Sequence, residues 1–189
     1  IHTVSPTYAR EILRPGSADQ LGGEGLEADL LRAHEQQRLL GILNGCDYLT
    51  AIPERLRGAA LYREIASALD HWVGKTETIP AAHYLALRRL HQLRQKRKSP
   101  EPLLVSIGRL TPQKVGLLTA DWQDRAVMDV LLRRLGTGLF VMLGNGDPDM
   151  EEFFTEQMRR HDNLLFLNGF SASLADVLYS AGDLFVMPS

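Results

Sequence analysis

The sequence predicts an α/β fold, a Rossmann-like parallel sheet with flanking helices, on three observations. From about residue 103 onward, short apolar runs alternate with stretches of helical spacing. Each apolar run ends in loop-forming residues, which in a parallel sheet all fall on one edge. The composition, 44% hydrophobic and 23% charged over 189 residues, provides enough apolar chain to bury a core.

The elements follow in order. Thr3-Val4-Ser5-Pro6-Thr7-Tyr8-Ala9-Arg10-Glu11-Ile12 reads as a short strand, a Ser-Pro turn and the start of a helix. Apolar residues at 26, 30, 31, 39 and 40 give Leu26 to Leu40 helical spacing. Gly41-Ile42-Leu43-Asn44-Gly45 reads as another strand ending in a turn pair. Residues 50 to 98 look helical but loosely patterned, and Ser99-Pro100-Glu101-Pro102 is the clearest break. Beyond it come strand 103 to 107, a helix near 121 to 135, strand 139 to 143, helix 149 to 161, strand 164 to 167, helix 173 to 180 and strand 184 to 187. Gly108, Gly144 to Asp149, Gly169-Phe170-Ser171 and Pro188-Ser189 follow the four strands. Four loops are therefore expected to converge on one ligand.

A formal net charge of −2 provides no global basic field, so neither a nucleic-acid nor an anionic-membrane partner is expected. The basic run Arg88, Arg89, Arg94, Lys96, Arg97 and Lys98 lacks interleaved aromatics and reads as a solvated helix end. A single cysteine, Cys46, excludes an internal disulfide framework and favours a reducing cytoplasm. The six histidines show no metal spacing, and Trp72 and Trp122 read as packing residues. No run of eighteen apolar residues occurs, and no charged-then-apolar leader opens the chain. Starting at Ile1 and stopping inside what reads as a strand end, the sequence is expected to be a fragment.

The sharpest chemistry lies in Leu103-Leu104-Val105-Ser106-Ile107-Gly108-Arg109-Leu110-Thr111-Pro112-Gln113-Lys114, a buried strand delivering two cations into a loop. A phosphate or diphosphate is well held by a planar fork of donors and a compact mobile cation, the roles of Arg109 and Lys114. Gly144-Asn145-Gly146-Asp147-Pro148-Asp149 lies between a strand and a helix. It reads either as a plain tight turn or as a loop whose amides approach an anion; it has neither a Walker spacing nor the full dinucleotide fingerprint. Asn44 reads as turn chemistry or as an amide for a sugar hydroxyl, and Phe170 as a core aromatic or a base-stacking one.

Taken together, His2 to Ile12, Gly41-Ile42-Leu43-Asn44-Gly45, Ser106 to Lys114, Leu143 to Asp149 and Ala181-Gly182-Asp183 to Ser189 resemble the bacterial glycogen synthases and plant starch synthases. The resemblance implies a GT-B enzyme of two Rossmann-like domains that holds ADP-glucose mainly on the second. It implies transfer of glucose to the non-reducing end of an α-1,4-glucan with retained configuration, without a metal or other cofactor. By the same resemblance Arg109 and Lys114 hold the diphosphate, Asn44 lies near the glucosyl or acceptor side, and the Gly146 loop approaches the nucleotide. Phe170 stands where the family usually has a tyrosine beside the adenine.

The family pattern further implies that residues 1–40 are the tail of the first domain, 41–102 an interdomain crossing with a divergent helical linker, and 103–189 the first half of the second domain. Departures are expected to matter. Val115 stands where the family has glycine after the lysine, and Tyr48 to Pro53 replaces its usual Trp-Asn-Pro. The first-domain Lys-x-Gly-Gly-Leu motif and active-site histidine would precede Ile1, and the Arg-Phe-Glu-Pro-Cys-Gly segment would follow Ser189. The piece alone is thus expected to be inactive. Two rival readings stay open: a GT-B transferase using UDP-glucose or another acceptor, and a non-catalytic relative that binds nucleotide or glucan.

Overall fold

The computed structural model describes residues 1–16, 22–45 and 53–188. Cys46, Tyr48 to Ile52 and Ser189 lie outside them, so the expectations placed there are not addressed. The chain divides into two compact units, Ile1–Ala51 and Ile52–Ser189.

In the first unit, strand β1 (His2–Thr3) leads into helix α1 (Pro6–Glu11). Ser5 caps that helix by accepting from the Tyr8 amide at 2.9 Å, with Pro6 pre-set at its first position. Helix α2 (Glu27–Glu35) follows, and strand β2 (Leu40–Gly41) pairs in parallel with β1. Ile12, Ala33 and Leu39 form a small core. The expected helix to Leu40 stops at Glu35, because Gln37 takes a φ of 54° that a right-handed helix cannot continue through. The expected strand over Gly41 to Gly45 is likewise shorter. The Ile42 amide still reaches the Thr3 carbonyl at 2.8 Å, but β1 offers nothing to pair with further on, and Leu43, Asn44 and Gly45 are exposed.

In the second unit, helices α3 (Gly58–Val73) and α4 (Ala81–Arg94) precede the sheet. Strand β3 (Leu103–Ile107) is followed by helix α5 (Pro112–Thr119), a hairpin of β4 (Asp121–Trp122) and β5 (Arg125–Ala126), and helix α6 (Val127–Leu135). Then come β6 (Leu139–Gly144), α7 (Pro148–Arg160), β7 (Leu164–Asn168), α8 (Ala172–Ala181) and β8 (Leu184–Phe185). The sheet is parallel throughout, in the order β7-β6-β3-β8. Successive strands build outward on one side of β3, and the fourth returns to its other side. This is the strand order of a doubly wound sheet, with the reversal of direction between β3 and β8.

The central strands read as continuous apolar runs because both faces are covered. Leu103 to Val105, Leu139 to Leu143 and Leu164 to Leu167 are all buried. Helix α4 packs against the outer strand β7.

Three expectations are corrected here. The helix near 121 to 135 begins only at Val127, because Gln123 and Asp124 both take positive φ (52° and 62°) and form a two-residue hairpin turn. That turn leaves Trp122 58% exposed rather than packed. Arg89, read as part of a solvated basic helix end, is only 7% exposed. Its guanidinium donates to the Asp162 carboxylate and, at 2.9 Å, to the Met158 carbonyl near the end of α7.

At the opposite edge of the sheet from the loops, Asp183 accepts from the Leu103 amide at 2.7 Å and from Arg55 and Arg57. It thereby ties the start of β3 to the start of β8 and to the segment before α3. The Leu103 hydrogen bond, followed by the Arg57 guanidinium, holds the Asp183 carboxyl below its ordinary value of 3.8. Its stabilisation is present above that ordinary value and is lost as pH falls through the lowered one. Asp183→Ala is expected to cost about 1–3 kcal/mol in urea unfolding at neutral pH, by leaving a strand amide without its acceptor. The difference from wild type should shrink in acid. An unchanged midpoint at neutral pH would contradict this role.

Candidate functional site

The carboxyl edge of the sheet is built by pairing that continues past the strands. The Gly108 amide donates to the Leu143 carbonyl at 3.0 Å, the Leu110 amide to Asn145 at 3.0 Å, and the Asp147 amide to the Leu110 carbonyl at 2.7 Å. Leu110 itself is fully buried, so the loop after β3 is nailed down on both sides of Arg109. The glycines of the neighbouring loop make this approach possible. A Cβ on Gly144 would sit 2.0 Å from the Gly108 carbonyl oxygen, and one on Gly146 would sit 2.5 Å from that of Leu110.

Gly146 therefore has a packing role, and its amide is already used, donating to Glu151 Oε1 at 2.8 Å. Glu151 Oε2 accepts from Asn168 Nδ2 at 2.9 Å, so one carboxylate ties the loop after β6 to the end of β7. Asp147 caps α7 by accepting from the Asp149 and Met150 amides at 3.0 and 3.4 Å. Nothing in the sequence singled out Glu151, whose partners are set by the meeting of two loops.

Arg109 leaves this braced loop and Lys114 projects from the first turn of α5, where Pro112 stands at the helix start. Both are exposed, and among the described residues neither forms an ion pair. They line a cavity of about 350 Å³ together with Gly108, Thr111, Gln113 and, from the other side, Tyr179, Phe185 and Met187. Among the described residues no carboxylate lines it. The cavity lies where β3 and β8 diverge, the reversal point at which such sheets take their ligands. Among the described residues, the hollow thus carries two cations and no carboxylate, in a chain whose formal net charge is −2. Sequence reasoning missed the Tyr179 and Phe185 wall, because the two rings meet, 5.0 Å apart, only through the packing of α8 on β8.

Val115, the departure after the lysine, is 3% exposed and joins the core, and α5 runs unbroken through it. Asn44 lies in the first unit, exposed just beyond β2. Phe170 is 69% exposed, which removes its reading as a core aromatic. It lines a second cavity, of about 730 Å³, at the ends of β6 and β7, with Asn145, Asn168, Ser171 and residues of α3. A larger hollow of about 970 Å³ runs along α6 and α7, and the cations that line it are engaged by carboxylates, Arg125 and Arg133 by Asp129, Arg159 and Arg160 by Glu156.

Among the described residues no group of three His, Cys, Asp or Glu side chains is placed to hold a metal ion, and no helix is long and apolar enough to cross a membrane.

No protein-family model matches the chain. Glycogen synthases do: that of Petrotoga mobilis is 34% identical over 191 residues, and that of Anaeromyxobacter sp. (strain Fw109-5) 40% identical over 188, covering 100% and 99% of this chain. The chain spans 34% of the length of each. Among solved structures, the catalytic domain of starch synthase IV from Arabidopsis thaliana, bound to ADP and acarbose, superposes with a TM-score of 0.56 at 26% identity. That match covers all of this chain and 34% of the other.

Proposed function

From a chain homologous along its whole length to about a third of the bacterial glycogen synthases, we propose that it supplies the donor-gripping part of a retaining glucosyltransferase. The reaction moves glucose from ADP-glucose to the non-reducing end of an α-1,4-glucan. The observation that carries this reading is the pair Arg109 and Lys114, which among the described residues forms no ion pair and shares its cavity at the reversal point of the sheet with no carboxylate. The ADP and acarbose held by the starch synthase IV domain support the choice of ligands.

The chemistry follows from charge. As the bond from the glycosidic carbon to ADP breaks, negative charge grows on the departing phosphate and the sugar becomes cation-like. Cations fixed at the phosphate are then worth more in the transition state than in the bound ground state. The paired loops hold Arg109 in place before substrate arrives, so little reorganisation is needed when the charge develops. In the same reading Gly146 keeps the neighbouring loop close to the nucleotide, Phe170 stands beside the adenine, and Asn44 serves the glucosyl or acceptor side.

The proposed organisation is the tail of a first domain in residues 1–40, a crossing in 41–102 and the first half of the nucleotide-sugar domain in 103–189. The remaining catalytic groups belong to the longer protein, as the relatives' length suggests. The proposed setting is the cytoplasm, or the plastid in a plant, with neither nucleic acid nor membrane as partner and no cofactor.

The test is incorporation of labelled glucose into glycogen by the full-length protein. Incorporation from ADP-glucose is expected. Incorporation from UDP-glucose in its place would reassign the donor, and none from either would sink the transfer reading in favour of a binding protein.

A further inference from the structure

One face of α3 is unexplained by packing. Leu61, Tyr62, Ile65 and Leu69 bury its core face. Glu64, Ser67, Ala68, His71, Trp72 and then Lys75, just past the helix end, recur at helical spacing and line the second cavity. Glu64, Ser67, His71 and Lys75 are exposed, and no hydrogen bond or ion pair among the described residues uses their side chains. A row of uncommitted donors and acceptors thus faces Phe170 across a hollow of about 730 Å³.

The hollow is built rather than incidental. Gly169 lies so close to Trp72 that a Cβ there would come within 2.9 Å of the indole, and Trp72 stacks on His83 at 5.9 Å between ring centres. His83, itself 7% exposed, donates from Nε2 to the Asn168 carbonyl at 2.8 Å. Both helices before the sheet therefore clamp the β7–α8 loop that presents Phe170.

The hollow is also in line with the cations. It lies at the ends of β7 and β6, and Arg109 at the end of β3, the next strand along, with the Leu110 amide bonded to the Asn145 carbonyl between them. At a strand spacing of about 4.8 Å, the end of β7 is roughly 10 Å from that of β3. A nucleoside whose diphosphate lies on Arg109 can reach back along the edge into this hollow.

Resting on the nucleotide-donor reading above, we infer that the polar face of α3, through His71 and Lys75, is the second wall of the nucleoside subsite, opposite Phe170. A base stacked on an aromatic face still has ring nitrogens and ribose hydroxyls at its edge that need partners. An imidazole and an ammonium, neither hydrogen-bonded to another side chain among the described residues, supply them.

The experiment is calorimetric titration of the full-length protein with ADP and, separately, with inorganic pyrophosphate. The variants are Arg109→Ala and the double variant His71→Ala with Lys75→Ala, whose exposed positions leave thermal unfolding unchanged. The double variant is expected to weaken ADP binding about tenfold or more, the loss of one or two hydrogen bonds to charged or polar donors. It should leave pyrophosphate binding within about twofold, whereas Arg109→Ala weakens both ligands. An unchanged ADP affinity in the double variant, with Arg109→Ala still weakening both, would overturn the α3 wall and leave the donor reading standing. Equal weakening of ADP and pyrophosphate in the double variant would also overturn it, since a general loss of positive charge then suffices. ADP binding that is absent, or indifferent to Arg109, would overturn both.

Discussion

Arg109→Ala in the full-length protein is expected to lower the proposed glucosyl transfer by about 10²- to 10³-fold in turnover, the usual effect of removing one preorganised group that stabilises developing charge. Lys114→Ala should fall in the same range. The reason is the placement of each charge. Arg109 leaves a loop fixed by backbone hydrogen bonds on both sides, and Lys114 leaves the first turn of a helix whose Val115 and Leu118 are anchored in the core. Neither position contributes to that anchoring, so thermal unfolding should be unchanged while turnover collapses. Arg109→Lys should recover only part of the loss, because an ammonium cannot reproduce the two-pronged grip of a guanidinium. Near-normal turnover in both alanine variants would remove the diphosphate role from this edge of the sheet.

Gly144→Ala is expected to damage both stability and activity. The added methyl would lie 2.0 Å from the Gly108 carbonyl oxygen, a rigid backbone atom that cannot swing aside. The end of β6 and the loop after β3 must then separate beside Arg109. Overpacking of this kind costs about 1–3 kcal/mol, measurable as a shift in the urea midpoint. The displaced loop should also lower turnover in whatever fraction stays folded. Gly108→Ala has no such neighbour within 4 Å and is the control that should leave the midpoint nearly in place. Equal effects from the two substitutions would show that close approach at Gly144 is not what fixes the loop.

Much of the sheet was legible because its strands are buried on both faces. Leu103 to Val105, Leu139 to Leu143 and Leu164 to Leu167 have nearly unbroken apolar character, and turn residues mark their ends. The hairpin at 121 to 126 was not legible, since its turn uses Gln123 and Asp124 where glycine or asparagine would have announced positive φ. Arg89 was hidden by its charged neighbours, and only tertiary packing turns it into a buried partner of α7. The loose patterning of α3 has a physical cause, with one face packed into the core and a second, polar one lining a cavity. Within the site, Arg109 and Lys114 stood out because cations pinned to a buried strand end are conspicuous. Glu151 did not, because its role arises where two loops meet.

The proposed donor gives the most direct test. A crystal structure of the chain with ADP bound should place both phosphates within hydrogen-bonding reach of the Arg109 guanidinium and the Lys114 ammonium, at the carboxyl end of β3. A diphosphate bound elsewhere on the molecule, with these two side chains empty, would contradict the account at its centre.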